Sequence, residues 1–562
     1  MHIRTLSGPC AALLFAALAA AQSLTGVCAS PQGAPIAGVS ITLSNNGGTR
    51  VSNALGQFTF SPLQNRTYTA TVLPPTGWAP RLMTINVQGA TNMGTLVLQP
   101  GVTVSGVVHG PTGLPLAGAN VDAIDTNDVT LFTPNDGSDV NGNFAVTVPL
   151  GVTKVRVNPP TGQLLVRYET TLNITAPVNL GVITLPQAFN VSGVVVDSNS
   201  GLPISGVTVA AFDNKTLVPF SNVNPTTGTL GNFTLQLPIG VHRLEFDPPT
   251  GNAHASRVKH SVLVLGTTNL GSIGLRPAIT LTGTVTGPGG PVNNCDVDVE
   301  TAEGMKMFTL HDNTNASGLF SVRVPAGTYR VRVDPPPTSG LYGTRTGSQA
   351  YTVSTTVAPI SVQAGVSLQL DVIGPNGPEA DADLDFFDPA TGAPIIIVGD
   401  KSNAAGAISA TVPTGLFDIA LDAAQGSTAA PLRVQSLIAG PLATPIVLGQ
   451  KQAVIDLHAT YGIQSIGQGG TLFVDARLRN LTPTTLPMLL EVSIRFPSGA
   501  EQLVGVLPLD LFASFDFSLA ALEVPVPPVP AGEVGKDMRF YVRMRNPDQS
   551  LLDQAYVDFV IE

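Results

Sequence analysis

Asp139-Val-Asn-Gly142-Asn-Phe144-Ala-Val-Thr-Val-Pro149-Leu-Gly151 reads as a turn, an alternating strand and a second turn, and the chain repeats it. Gly142-Asn-Phe144 returns as Gly56-Gln-Phe58, Gly231-Asn-Phe233, Gly318-Leu-Phe320 and, worn, Gly406-Ala-Ile408, at intervals of 86, 89, 87 and 88 residues. Pro149 and Gly151 return as Pro238/Gly240, Pro325/Gly327 and Pro413/Gly415. Upstream, Gly33-Ala-Pro-Ile-Ala-Gly38, Gly113-Leu-Pro-Leu-Ala-Gly118 and Gly201-Leu-Pro-Ile-Ser-Gly206 share one turn. Pro-Pro-Thr-Gly follows at 74–77, 159–162 and 248–251, with Pro335-Pro-Pro-Thr-Ser-Gly340 as an expanded form. Independent landmarks holding one spacing define an internal repeat.

A period near 87 residues is too long for a solenoid unit and fits a small domain with its own core. Between landmarks the side chains alternate. Valines and polar groups exchange along Lys154-Val-Arg-Val-Asn158, and Ala380, Ala382, Leu384 and Phe386 alternate with Asp381, Asp383 and Asp385. That is the period-two signature of strands with one buried face. The spacing predicts an all-β chain, a tandem array of β-sandwiches at 22–99, 100–187, 188–277, 278–362 and 363–449, the fifth degenerate. Residues 450–562 break the period but keep strand-like runs such as Thr471-Leu-Phe-Val-Asp475, and resemble an immunoglobulin-like or fibronectin-like sandwich. Short links such as Leu185-Pro-Gln187 predict a monomeric, elongated rod whose repeats touch only their chain neighbours.

Val104-Ser-Gly-Val-Val108, Gly113 to Gly118, Asp139 to Phe144 and Pro149-Leu-Gly151 together resemble the carboxypeptidase regulatory-like domain, a transthyretin-like β-sandwich. The likeness runs over roughly residues 22–449. It implies a domain that accompanies others and is not itself catalytic, grouped with carbohydrate-binding-like folds.

The 562 residues carry 27 Lys and Arg against 38 Asp and Glu, a net charge of −11, which excludes nucleic acid as a partner. Charged residues are only 12%, while 58 glycines and 47 prolines mark a folded chain dense in turns. Met1 to Arg4 is basic, Ala11 to Ala20 is apolar, and Ala19-Ala20-Ala21 supplies small residues, so 1–21 reads as a signal peptide cleaved before Gln22. Cys10 precedes that apolar run, which argues against a lipoprotein. No run reaches the roughly 20 residues of a membrane helix, and no apolar tail or LPxTG-type signal announces a wall anchor. The expected location is secreted or at the cell surface. Cys28 and Cys295 stand where other repeats place Val108, Val195 and Ala382, so buried free thiols are expected.

Each candidate for chemistry has a plainer account. His242-Arg-Leu-Glu245 has the His-x-x-Glu spacing of a zinc site, but on a strand residues three apart face opposite ways. Asn135 to Gly142 looks like a calcium loop, yet with Gly142 as the turn glycine, Gly137 and Val148 fall where carboxylates are needed. The ladders Asp296, Asp298, Glu300 and Asp381, Asp383, Asp385 read as solvated strand faces that discourage edge pairing, calcium or a basic partner being the alternative. His109 has no counterpart that could take over its chemistry, and no lysine recurs in register for an internal isopeptide bond of the kind known in B-type repeats of bacterial collagen adhesins. The expected set of catalytic, cofactor and metal residues is empty. Trp78, with Tyr342 and Tyr351, is the candidate contact set for sugar, with packing against Pro74-Pro75 as the other reading of Trp78. The expected function is a non-enzymatic spacer or adhesive surface protein with a glycan or matrix-protein partner; the alternative is a carbohydrate-binding module array.

Overall fold

A computed structural model describes residues 22–127, 129–220, 224–302, 305–438, 445–530 and 537–561. The expected signal peptide lies outside the described residues. Every described element is a strand except a short 3-10 turn at Pro337–Ser339, so the protein is all-β. Its buried side chains form six separate clusters, spanning Leu24 to Leu98, Val104 to Leu185, Val191 to Leu275, Ile279 to Val362, Leu368 to Leu448 and Ala453 to Ile561. No helix among the described residues is long and apolar enough to cross a membrane.

Each repeat is built alike. In the second, Gly101–His109 is the central strand of a three-stranded sheet, antiparallel to Asn143–Pro149 and parallel to Val178–Thr184. Asn120–Ile124, Gly151–Asn158 and Tyr168–Ile174 form the facing sheet. The glycine of Gly-x-Phe makes this packing possible. Gly56, Gly142, Gly231, Gly318 and Gly406 all have φ between 71 and 78°. A Cβ on any of them would lie 2.3 or 2.4 Å from the carbonyl oxygen of Cys28, Val108, Val195, Val285 or Val372 respectively. Only glycine suits both demands.

One more residue recurs at that spacing. Ser52, Ser138, Thr227, Thr314 and Ser402 are buried hydroxyls, and each bridges the start of a core strand to the turn before it. Ser138 Oγ accepts from Ala119 N (2.9 Å) and donates to Leu116 O (2.6 Å). Thr314 does the same between Cys295 N and Val292 O (2.8 and 2.7 Å). Each satisfies two backbone groups that water cannot reach, which would otherwise cost about 1–3 kcal/mol apiece.

The chain divides into two compact units, Met1–Ala188 and Phe189–Glu562. Within the second, a sandwich of a three-stranded sheet (Ala453–Ala459, Thr471–Asn480, Asp516–Pro525) and a five-stranded sheet follows the repeats. Contacts here run between the sandwiches. Arg323 of the fourth repeat donates to Pro248 O and Pro249 O in the Pro-Pro-Thr-Gly turn of the third (2.7 and 3.0 Å). Tyr556 N donates to Gln425 Oε1 of the fifth repeat (2.6 Å). The C-terminal sandwich also bonds back to the third repeat, against the expectation of neighbour-only contacts. The reason is polar: a loop of the last domain meets a side chain that alternation alone does not flag.

Candidate functional site

That side chain is Asn214, which follows strand Thr208–Asp213 and is 3% exposed. Its Nδ2 donates to Ile463 O (2.9 Å) and to Tyr461 O, and its Oδ1 accepts from Ser261 N (3.0 Å). Ser261, at φ 55° in a bulged strand, donates its hydroxyl to Ile463 O (3.1 Å). Ser465 Oγ accepts from His260 N (3.2 Å). Between the two contacted carbonyls, Gly462 (φ 78°) passes so close to Asn214 O that a Cβ would lie 2.3 Å away.

Beside this seal lies a cleft of about 640 Å³ where the third repeat, the fourth repeat and the C-terminal sandwich meet. Arg243, Asp298, Phe308, Arg495, Asp537 and Arg539 are among its walls. Several of its charged side chains are paired. Arg243 pairs with Glu245 (2.6 Å) and lies over the Phe308 ring at 5.5 Å. Lys306 pairs with Asp298, and Arg539 with Asp558 (2.8 Å). Thr309 gives its hydroxyl to Asp312 (2.6 Å). Planar carboxylates and guanidinium groups beside an aromatic ring suit the recognition of a polar ligand.

The candidates read from sequence fall elsewhere or into other roles. His242 is 1% exposed, bonds Pro238 O through Nε2 (2.9 Å) and meets the Phe220 ring edge-on at 4.9 Å; burial holds its pKa down. Glu245 faces the other way along the same strand. The two do not converge. Asp139 accepts from Asn141 N (2.9 Å) and Asn143 N (2.8 Å), bonds that lower its pKa and make it the cap of a hairpin turn. His109 is half-buried and pairs through its backbone with Pro115 and Thr184.

In the acidic ladder of the fourth repeat Asp296 is not among the buried residues, but the other two carboxylates do not form a solvated face. Asp298 is 8% and Glu300 3% exposed. Arg345 (3.4 Å) and Arg332 (3.9 Å) cover Glu300, and Lys306 covers Asp298. The cations come from neighbouring strands and loops, out of reach of a reading along one strand. Asp296, Asp298 and Asp334 bring carboxylate oxygens within 4.8 Å of one another. The chain's own cations meet two of the three, Lys306 at Asp298 and Arg332 at Asp334 (2.9 Å). In the fifth repeat Asp381 and Asp385 do lie at the surface. Burial, with Asp383 beside it, pushes Asp400 up to about 6.

Cys28 and Cys295 are free and fully buried. Burial pushes the Cys28 thiol up to about 11 and raises Cys295 as well. Trp78 is half-buried against the first repeat's core and pairs through its backbone with Pro100. Tyr351 is a core residue, 2% exposed, which removes it from any sugar platform; Tyr342 is half-buried.

No family model matches the chain, nor does any curated protein sequence. Among solved structures it is similar in part to the Bacillus anthracis TIE protein, at 12% identity over 58% of this chain and 66% of that one, TM-score 0.16. The chain therefore spans just under two thirds of that protein. It is also similar to a streptococcal ancillary pilin (15% identity, 46% and 98% covered, TM-score 0.17). A third likeness is BcpA, the major pilin subunit of Bacillus cereus (12%, 46% and 99%, TM-score 0.13).

Proposed function

We propose that the protein is a non-enzymatic, exported, multidomain β-sandwich protein that works as an extracellular or cell-surface scaffold with an adhesive face. One observation carries this reading. The features that recur through the repeats are a left-handed glycine, a buried aromatic or aliphatic residue and a backbone-bridging hydroxyl, all of which hold the fold together. The seal at Asn214 argues against an open string over residues 189–562, so the adhesive part of the expectation is favoured over the spacer part. Saturable binding of the mature chain on a matrix-protein and glycan array supports the proposal. Turnover of a peptide, ester or glycoside substrate by the pure protein overturns it.

The second reading, carbohydrate binding, is favoured by the three-domain cleft, whose volume lies in the roughly 300–1,000 Å³ range of ligand pockets. On that reading Arg495→Ala weakens glycan binding while Trp78→Ala leaves it intact. The opposite pattern moves the contact to the first repeat.

A further inference from the structure

The C-terminal sandwich is tied at one side and open at the other. On the tied side, Lys451 and Asp553 form a buried ion pair (2.9 Å), and Ile455 N donates to the same carboxylate (2.8 Å). This joins the first strand, Ala453–Ala459, to the last, Leu551–Ile561. On the open side stand two edge strands, Glu501–Leu511 and Asp516–Pro525, one from each sheet. Strand Asp516–Pro525 is exposed at nine of its ten positions.

Its register shows which way its side chains face. Phe517 lies opposite Leu478, Leu519 opposite Ala476, Leu522 opposite Val474 and Val524 opposite Leu472. All four opposing residues belong to the domain's core, and directly opposed residues share a face. Phe517, Leu519 and Leu522 therefore point to the core side, yet are 48%, 39% and 40% exposed. Leu507 on the other edge strand, opposite core-packed Leu490, is 54% exposed. Core-facing apolar side chains left in water mark an interaction surface. The free backbone groups of an edge specify a strand as its cover.

A bulge makes that cover identifiable. The register shifts between Val474 and Ala476, and Ala521 there has φ 51°. The core-facing positions consequently read 517, 519, 522 and 524, a pattern symmetric about the point between Ala520 and Ala521. We propose that this edge pairs antiparallel with the same strand of a second copy about a two-fold axis at that point. The pairing sets Phe517 against Val524 of the second copy and Leu519 against its Leu522. The acids fall opposite neutral residues, Asp516 against Pro525 and Glu523 against Ser518. The neighbouring edge strand contains Pro508, which offers no N–H, so Asp516–Pro525 is the better pairing strand.

Ser518 tests the register without touching the core, because it is exposed and shares its face with Arg477. Sedimentation of the mature chain over a concentration series should show a monomer–dimer equilibrium. Ser518→Glu sets two like-charge pairs against Glu523 and weakens the dimer roughly 2- to 30-fold, while Ser518→Lys tightens it by a similar factor. Leu519→Asp combined with Leu522→Asp abolishes it. A monomer at every concentration overturns the proposal, as does an equal effect of Glu and Lys at 518. A chain that stays monomeric yet binds an apolar strand peptide assigns the edge to another protein's strand and overturns it too.

Discussion

Gly106 lies directly opposite Phe144, and the Phe144 ring fills the space that a Cβ on Gly106 would need, 2.8 Å away. Gly26 with Phe58 and Gly283 with Phe320 repeat the arrangement. In the fifth repeat Leu370 stands opposite Ile408. The pair exchanges volume: where the glycine gains a side chain, the ring is lost.

Gly106→Leu alone should overpack the second repeat by about 1–3 kcal/mol. Phe144→Ile alone should leave a cavity costing up to about 3 kcal/mol. Combined, they should cost less than the sum, with a coupling on the order of 0.5–3 kcal/mol. Hydrogen exchange of strand Gly101–His109 in the intact chain reads all three. Strict additivity would show that the two sites do not share one volume.

Asp400 gives the fifth repeat a pH dependence. Its folded pKa of about 6 lies above the ordinary 3.8, through burial and the charge of Asp383. Between those values the folded state holds a proton that the unfolded state has lost, so stability falls as pH rises from about 4 to about 6. Asp400→Asn should flatten this slope and stabilise the repeat at pH 7 by roughly 1 kcal/mol after solvent screening. An unchanged slope would place the titration elsewhere.

Asp553 should tolerate replacement only together with its partner. Asp553→Ala strands a buried ammonium and the Ile455 N–H, which should cost about 3–5 kcal/mol. Lys451→Met with Asp553→Leu should recover most of it, since paired buried charges gain little over apolar packing. Thermal unfolding of the C-terminal sandwich measures both, and a harmless single variant would mean the pair is not shielded from water.

The two thiols should stay silent in the native protein. Cys28 and Cys295 are fully buried, and burial keeps both protonated at neutral pH. A thiol reagent should label them only in denaturant. Rapid native labelling would show that the strands carrying them open readily.

Most of the fold was legible because period, alternation and turn residues are local signals. Gly56 and its four counterparts mark the repeat by a conformation only glycine adopts freely. The hydroxyls Ser52, Ser138, Thr227, Thr314 and Ser402 sat in plain view four residues before each of those glycines. Their role does not show in the sequence because serine and threonine before a turn look like solvent-facing residues. The candidate site was hidden for a different reason. Asp298 and Glu300 are buried by Lys306, Arg332 and Arg345, and Asn214 meets Ile463 across 249 residues of chain. No pattern along one strand reports a partner that arrives from another domain.

Joining the third repeat directly to the C-terminal sandwich changes how the second unit would bear tension. A pull entering at strand Ala188–Asp197 and leaving at Leu551–Ile561 runs through the bonds of Asn214 and Ser261 to Ile463, in parallel with the longer route through the fourth and fifth repeats. Those two folded repeats are then slack held in reserve. A stretched molecule should first lengthen by a fixed step as the seal parts, with every sandwich still folded, and only afterwards show unfolding events. Asn214→Ala combined with Ser261→Ala and Ser465→Ala should erase that first step in a single-molecule trace and leave the later ones in place.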